Sequence, residues 1–216
     1  MDKAEILRQI EEIGVIPVVR AASADEAKQA IDAIKAGGVS VLEITMTVPG
    51  AVKVIEEVVR QYGSEALVGA GTVLDPQTAA DCINAGAQFI VSPALNLDTI
   101  EYCKGQGVPI MPGALTPTEV LTAWNAGADL VKVFPAGSVG GPSYIKNLKA
   151  PLPHIKIIPT GGVSVNTAGD FIRAGASALG IGTDLVDLTA IRAGDAHIVT
   201  ERARQFVEIV RNARAG

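Results

Sequence analysis

The chain has 216 residues, 48% of them hydrophobic, and a formal net charge of −5. That length suits a single domain spanning 1–216 with a full-sized core. The negative balance, the lack of a basic stripe and an aromatic content of only 4% argue against a nucleic-acid partner. No apolar stretch reaches the ~18 residues a membrane span requires. The opening Met1-Asp2-Lys3-Ala4-Glu5 carries charge where a signal peptide has its apolar region, so a cytoplasmic protein with no membrane partner is expected.

In chain order, a short extra helix is expected near the amino-terminal end, around Lys3–Ile13. Strands are then read near 15–20, 39–45, 66–70, 88–92, 108–112, 129–134, 155–160 and 177–181. Helical patterns lie between them at roughly 23–36, 50–62, 75–85, 96–105, 116–126, 142–149 and 164–174, with a final helix over 195–213. The punctuation is a repeated junction of helix, glycine and strand. Ala36-Gly37-Gly38-Val39, Ala85-Gly86-Ala87-Gln88, Ala126-Gly127-Ala128-Asp129 and Ala174-Gly175-Ala176-Ser177 each close an amphipathic stretch and open an apolar run. Gly14-Val15 and Gly107-Val108 are weaker copies.

Eight strands alternating with helices predict a parallel sheet, and at this length a closed (β/α)₈ TIM barrel. The alternative, an open doubly wound sheet, would carry a G-x-G-x-x-G run in its first βα turn, and this chain has none there.

Within the sixth predicted strand, Leu130-Val131-Lys132-Val133-Phe134, every residue but one is apolar. A buried ammonium group costs several kcal/mol unless it is paired or sheds its proton. A lysine that sheds it is a nucleophile, whose usual partner is a carbonyl in a Schiff base. The bland reading is a lysine that snorkels to water or forms a structural ion pair. The second strand, Val39-Ser40-Val41-Leu42-Glu43-Ile44-Thr45, likewise holds one carboxylate in an apolar run. Strand alternation puts Lys132 with Phe134 on one face, and Val41, Glu43 and Thr45 together on another. Turned toward the barrel interior, Glu43 and Lys132 meet as base and nucleophile. A buried pair serving only the fold is the competing reading, although desolvation makes such pairs weak stabilisers.

Active sites of such barrels lie at the carboxyl ends of the strands. Strand 1 ends in Arg20, strand 3 in Gly71-Thr72, strand 4 in Ser92-Pro93 and strand 7 in Thr160-Gly161-Gly162. Strand 8 ends in Gly180-Ile181-Gly182-Thr183. Gly161-Gly162, expected to open the seventh helix, and Gly182-Thr183 form a candidate phosphate site of backbone amides. Asp184 sits awkwardly beside an anion and is read instead as a helix cap. Cys82 and Cys103 fall in predicted helices without a C-x-x-C motif, and His154 and His197 stand far apart. Reduced thiols and no metal site are therefore expected.

The runs Val41-Leu42-Glu43-Ile44-Thr45, Val68-Gly69-Ala70-Gly71-Thr72-Val73, Phe89-Ile90-Val91-Ser92-Pro93, Val131-Lys132-Val133-Phe134-Pro135-Ala136 and Pro159-Thr160-Gly161-Gly162-Val163 resemble the KHG/KDPG aldolase family. The likeness runs from about Ile13 to Val186. It implies a homotrimeric (β/α)₈ class I aldolase that cleaves 2-keto-3-deoxy-6-phosphogluconate (KDPG) to pyruvate and glyceraldehyde 3-phosphate. The family's second substrate is 4-hydroxy-2-oxoglutarate. By the same resemblance Lys132 forms the Schiff base and Glu43 is the general acid/base. Thr72 and Thr160 lie around the pyruvate moiety, with Pro93 and Phe134 among the substrate contacts. The iminium is the electron sink, so no cofactor is expected.

Many members carry Arg four residues after the glutamate, where this chain has Thr47, which is kept as a candidate substrate contact. Arg20 matches an arginine of other branches and is the candidate replacement for gripping the substrate carboxylate. Gly182-Thr183-Asp184-Leu185 looks more like the 6-phosphogalactonate aldolase branch. Two other classes compete. A phosphosugar isomerase or epimerase would need no Schiff base, and a non-catalytic trimeric barrel would need neither Lys132 nor Glu43.

Overall fold

The computed structural model describes residues 1–215. Helix α1 (Lys3–Ile13) comes first, followed by strand β1 (Val15–Val19) and helix α2 (Ala24–Ala36). Next come β2 (Val41–Thr45), α3 (Ala51–Tyr62), β3 (Leu67–Gly71) and α4 (Pro76–Asn84). After β4 (Phe89–Val91) and α5 (Leu97–Gly105), two short strands, β5 (Ile110–Met111) and β6 (Gly113–Ala114), stand where one was expected. The chain continues through α6 (Pro117–Ala126), β7 (Val131–Val133), α7 (Pro142–Lys149), β8 (Ile157–Pro159) and α8 (Ala168–Arg173). It closes with β9 (Leu179–Ile181), α9 (Leu188–Ala193) and α10 (Ala196–Ala215).

All strand pairs are parallel. One sheet has the order β5-β4-β3-β2-β1-β9 and the other β6-β7-β8. The expected fifth strand divides at Pro112, which has no N–H to give to a ladder. Hydrogen bonds nonetheless cross this seam, since the Lys132 amide donates to the Pro112 carbonyl at 2.9 Å. At the other seam Thr160 and Gly180 form a parallel bridge, and the Ser177 amide donates to the Ile157 carbonyl at 2.9 Å.

Local signals account for the helices. Asp75 caps α4, Asn96 caps α5, and Thr116 with Glu119 forms a capping box before α6, where Pro117 takes a first-turn position. The glycine junctions also behave as read: Gly38, Gly86, Gly127 and Gly175 take φ of +91°, +99°, +104° and +100°, a left-handed region that β-carbons disfavour.

Strand alternation sorts the core into two shells. Leu42, Ile44, Val131 and Val133 pack outward under the helices. Ile16, Val41, Leu67, Phe89, Met111, Leu130 and Ile158 pack inward as a second cluster, completed by Ile6 and Ile10 of α1. Helix α1 therefore covers the amino-terminal end of the strands with its apolar face. The carboxyl-terminal end is left for polar residues.

Candidate active site

Glu43 and Lys132 are the inward-facing residues one step above that apolar layer. Register fixes their heights: Val18 pairs with Glu43 and Glu43 with Gly69, while Gly113 pairs with Lys132 and Lys132 with Ile158. Their side chains are 2% and 3% exposed, and Lys132 Nζ lies 4.0 Å from Glu43 Oε1. That separation is too long for a hydrogen bond. Oε1 is buried and, among the described residues, has no hydrogen-bond partner. Burial pushes the Glu43 carboxyl above its ordinary value, with Lys132 and then Arg20 pulling the other way.

Neighbouring residues leave room for the pair. A β-carbon on Gly71 would stand 2.0 Å from Glu43 Oε1, so only glycine lets the carboxylate lie across the end of β3. Thr72, the next residue, is the one non-glycine residue with positive φ, at 59°, among those described. Lys132 Nζ sits 5.4 Å from the centre of the Phe134 ring, which covers one side of the amine.

Past the strand ends a cleft opens, walled by Val18, Arg20, Phe134, Thr160, Gly161, Gly162, Gly182, Thr183 and Asp184; Glu43 and Lys132 lie behind this wall and do not line it. The cleft thus brings together seven of the expected substrate and phosphate residues. Thr47 is exposed, and Thr72 and Pro93 are half-buried; all three lie outside the wall of this cleft. Pro93 instead lies against β6, where a β-carbon on Gly113 would come within 2.2 Å of its carbonyl.

Arg20 lies just past β1 and is exposed. No salt bridge ties Arg20 to Asp25 or Glu26 at the start of α2. Glu26 is taken by Arg192 at 2.5 Å and by the Ala22 amide at 2.7 Å, and Asp25 faces Lys28 at 3.5 Å. Among the described residues Arg20 has no ion-pair partner within 4.0 Å.

Two expectations about the loops are corrected. Gly161-Gly162 do not open a helix: α8 begins at Ala168. The intervening residues form a turn in which the Ser164 amide donates to Thr167 Oγ1 at 2.9 Å, and that hydroxyl donates to the Gly162 carbonyl at 3.0 Å. A six-residue helix set back from the glycines brings no terminal dipole to the cleft. Asp184 does not cap α9 either; Asp187 does, accepting from the Ala190 amide at 3.0 Å. Asp184 is an exposed residue of the cleft wall.

Thr45 makes contacts that the sequence does not reveal. Fully buried, its hydroxyl donates to the Val19 carbonyl at 2.9 Å and lies 2.6 Å from the Thr47 hydroxyl. With its one proton spent on Val19, Thr45 receives the proton of Thr47, whose outer side is then an acceptor. Inward parity and position two residues after Glu43 were the available signals.

A parallel α/β fold with a buried lysine and glutamate facing each other at its carboxyl-terminal face defines the class of Schiff-base lyases. Comparison with known proteins gives the family. The KDPG and KHG aldolase family model matches residues 6–202, and the chain belongs to that family. It is 35% identical over 205 residues to the 2-dehydro-3-deoxy-phosphogluconate aldolase of Treponema pallidum, covering 95% of this chain and 97% of that one. It is 37% identical over 201 residues to the 2-dehydro-3-deoxy-6-phosphogalactonate aldolase of Escherichia coli, covering 92% and 95%. Among solved structures, the KDPG aldolase of Legionella pneumophila, with pyruvate captured as a covalent carbinolamine, superposes with a TM-score of 0.85. That match has 28% identity over 92% of this chain and 96% of the other.

Proposed function

We propose that this chain is a class I aldolase that reversibly cleaves KDPG to pyruvate and glyceraldehyde 3-phosphate. The observation that carries the reading is the buried Lys132–Glu43 pair, 4.0 Å apart and not hydrogen-bonded, inside the strands whose ends form the cleft. Lys132 attacks the C2 ketone, and loss of water from the carbinolamine gives an iminium. Glu43 takes the C4 hydroxyl proton as the C3–C4 electrons move into the iminium, which releases the aldehyde and leaves an enamine. The same proton returns from Glu43 to C3, and water hydrolyses the new iminium to pyruvate and free lysine. General acid/base help of this kind contributes ~10²–10⁴-fold.

Arg20 holds the substrate carboxylate as a planar bidentate donor. Phe134 and Thr160, which wall the cleft, border the pyruvate portion. The backbone at Gly161, Gly162 and Gly182, with Thr183, takes the phosphate where this fold commonly binds one, in the loops after the last two barrel strands. The two sheets are read as one closed (β/α)₈ barrel in a single domain, since hydrogen bonds run across both seams. The assembly is read as a homotrimer acting in the cytoplasm; among the described residues, no helix is long and apolar enough to cross a membrane.

The 6-phosphogalactonate substrate is the second reading, favoured by the relative that is 37% identical and by Thr183-Asp184. Coupled pyruvate release from the two C4-epimeric phospho acids and from 4-hydroxy-2-oxoglutarate tests the assignment. Fastest turnover of KDPG is the expected result; release from none of the three would overturn the aldolase reading.

A further inference from the structure

The backbone beyond β7 and the backbone beyond β8 do not separate at the strand ends. The Thr160 amide donates to the Val133 carbonyl at 2.9 Å, the Ala136 amide to the Thr160 carbonyl at 2.9 Å, and the Gly137 amide to the Gly161 carbonyl at 2.8 Å. This ladder carries the loop after Lys132 alongside the glycine loop of the cleft. Where it ends, two glycines meet directly. A β-carbon on Gly137 would stand 2.9 Å from the Gly162 α-carbon, and one on Gly162 would stand 2.7 Å from the Gly137 α-carbon. Neither neighbour is the end of a flexible side chain, so any β-carbon here must push one loop off the other.

Gly162 has φ of +77°, which already explains a glycine there. Gly137 has no such reason, because its φ lies outside the left-handed region. Its surface is open to solvent, so core packing does not explain it either. What remains is the contact with Gly162.

We infer that Gly137 is a positioning residue for phosphate selectivity: its missing side chain seats the Gly161-Gly162 loop at a fixed distance from Lys132. An aldol substrate held covalently at C2 and by its phosphate at the far end spans these two points. The span is therefore set by the Gly137–Gly162 approach. A shift of about 1 Å in such a binding loop can cost 10²-fold in rate. A substrate lacking the phosphate does not use the far point and is indifferent to the shift. The inference rests on the reading of the glycine loops as the phosphate site.

The test compares KDPG with its unphosphorylated counterpart in the full chain and in Gly137→Ala. In the variant, kcat/KM for KDPG should fall roughly ten- to a hundred-fold, through KM more than kcat. For the unphosphorylated acid it should change less than about two-fold, and borohydride with pyruvate should still label Lys132. Inorganic phosphate should also inhibit the variant less than the parent. Equal losses on both substrates, or loss of pyruvate labelling, would mean that Gly137 serves the fold, and the inference would be overturned. Unchanged kinetics on both would overturn it as well. If the parent chain itself fails to prefer the phosphorylated acid and ignores inorganic phosphate, it is the phosphate-site reading that falls, and this inference with it.

Discussion

Lys132 and Glu43 stand inside strands, almost wholly shielded from water, whereas Arg20, Gly162 and Thr183 stand past the strand ends and are exposed. The buried half is made of side chains whose height and direction follow from parallel register. Its electrostatics are strong because water is excluded, and the raised Glu43 carboxyl is one sign of that. The exposed half is mostly backbone, and its geometry depends on how loops turn. The strands thus fix the buried pair by register, while the geometry of the cleft rests on its loops.

The largest effect should come from the buried half. Lys132→Arg keeps the charge but cannot form an imine, so pyruvate release should drop to the uncatalysed background in the coupled assay. Measurable turnover in that variant would remove the covalent step from the account.

Glu43→Gln should cut kcat by ~10²–10⁴-fold while the chain still folds. Because burial holds this carboxyl above 4.5, the acid limb of kcat/KM should lie above pH 4.5 and be missing in the variant. The folded chain binds this proton more tightly than the unfolded one. Its contribution to stability is therefore full below pH 4.5 and is lost as the pH rises through the elevated value. Urea titrations across that range check the sign; a rise in this contribution with pH would contradict it.

On the exposed side, Arg20→Ala should weaken pyruvate binding by about 1.5–3 kcal/mol, the value of a hydrogen-bonded charge. The fold should be unaffected, since Arg20 pairs with no carboxylate among the described residues. Unchanged pyruvate affinity would detach Arg20 from the site and shift the comparison further toward the buried half.

Legibility in the sequence followed the same divide. Lys132 and Glu43 could be read because a charge in an apolar run is conspicuous and strand parity is simple. Arg20 could be read as a strand-end charge, but its freedom from Glu26 required seeing Arg192 occupy that carboxylate. The loops were harder. Gly161-Gly162 imitates a helix start, yet Ser164 and Thr167 spend their hydrogen bonds on a turn first and delay α8 to Ala168. Asp184 and Asp187 are equally good caps by residue type, and only the backbone decides for Asp187. The division of the fifth strand at Pro112 was visible as a proline; that pairing resumes on both sides of it was not. The hydrogen bond of Thr45 went unread because its partner is a main-chain carbonyl on another strand, which no pattern of side chains reveals.

The central claim is that the 4.0 Å Lys132–Glu43 pair is a reacting pair and not a structural one. Incubation with pyruvate and borohydride, followed by peptide mass mapping, tests it most directly. The account predicts one reduced pyruvyl adduct per chain, on Lys132, formed at neutral pH and prevented by Lys132→Arg. Labelling of another lysine, or no adduct at all, would contradict it.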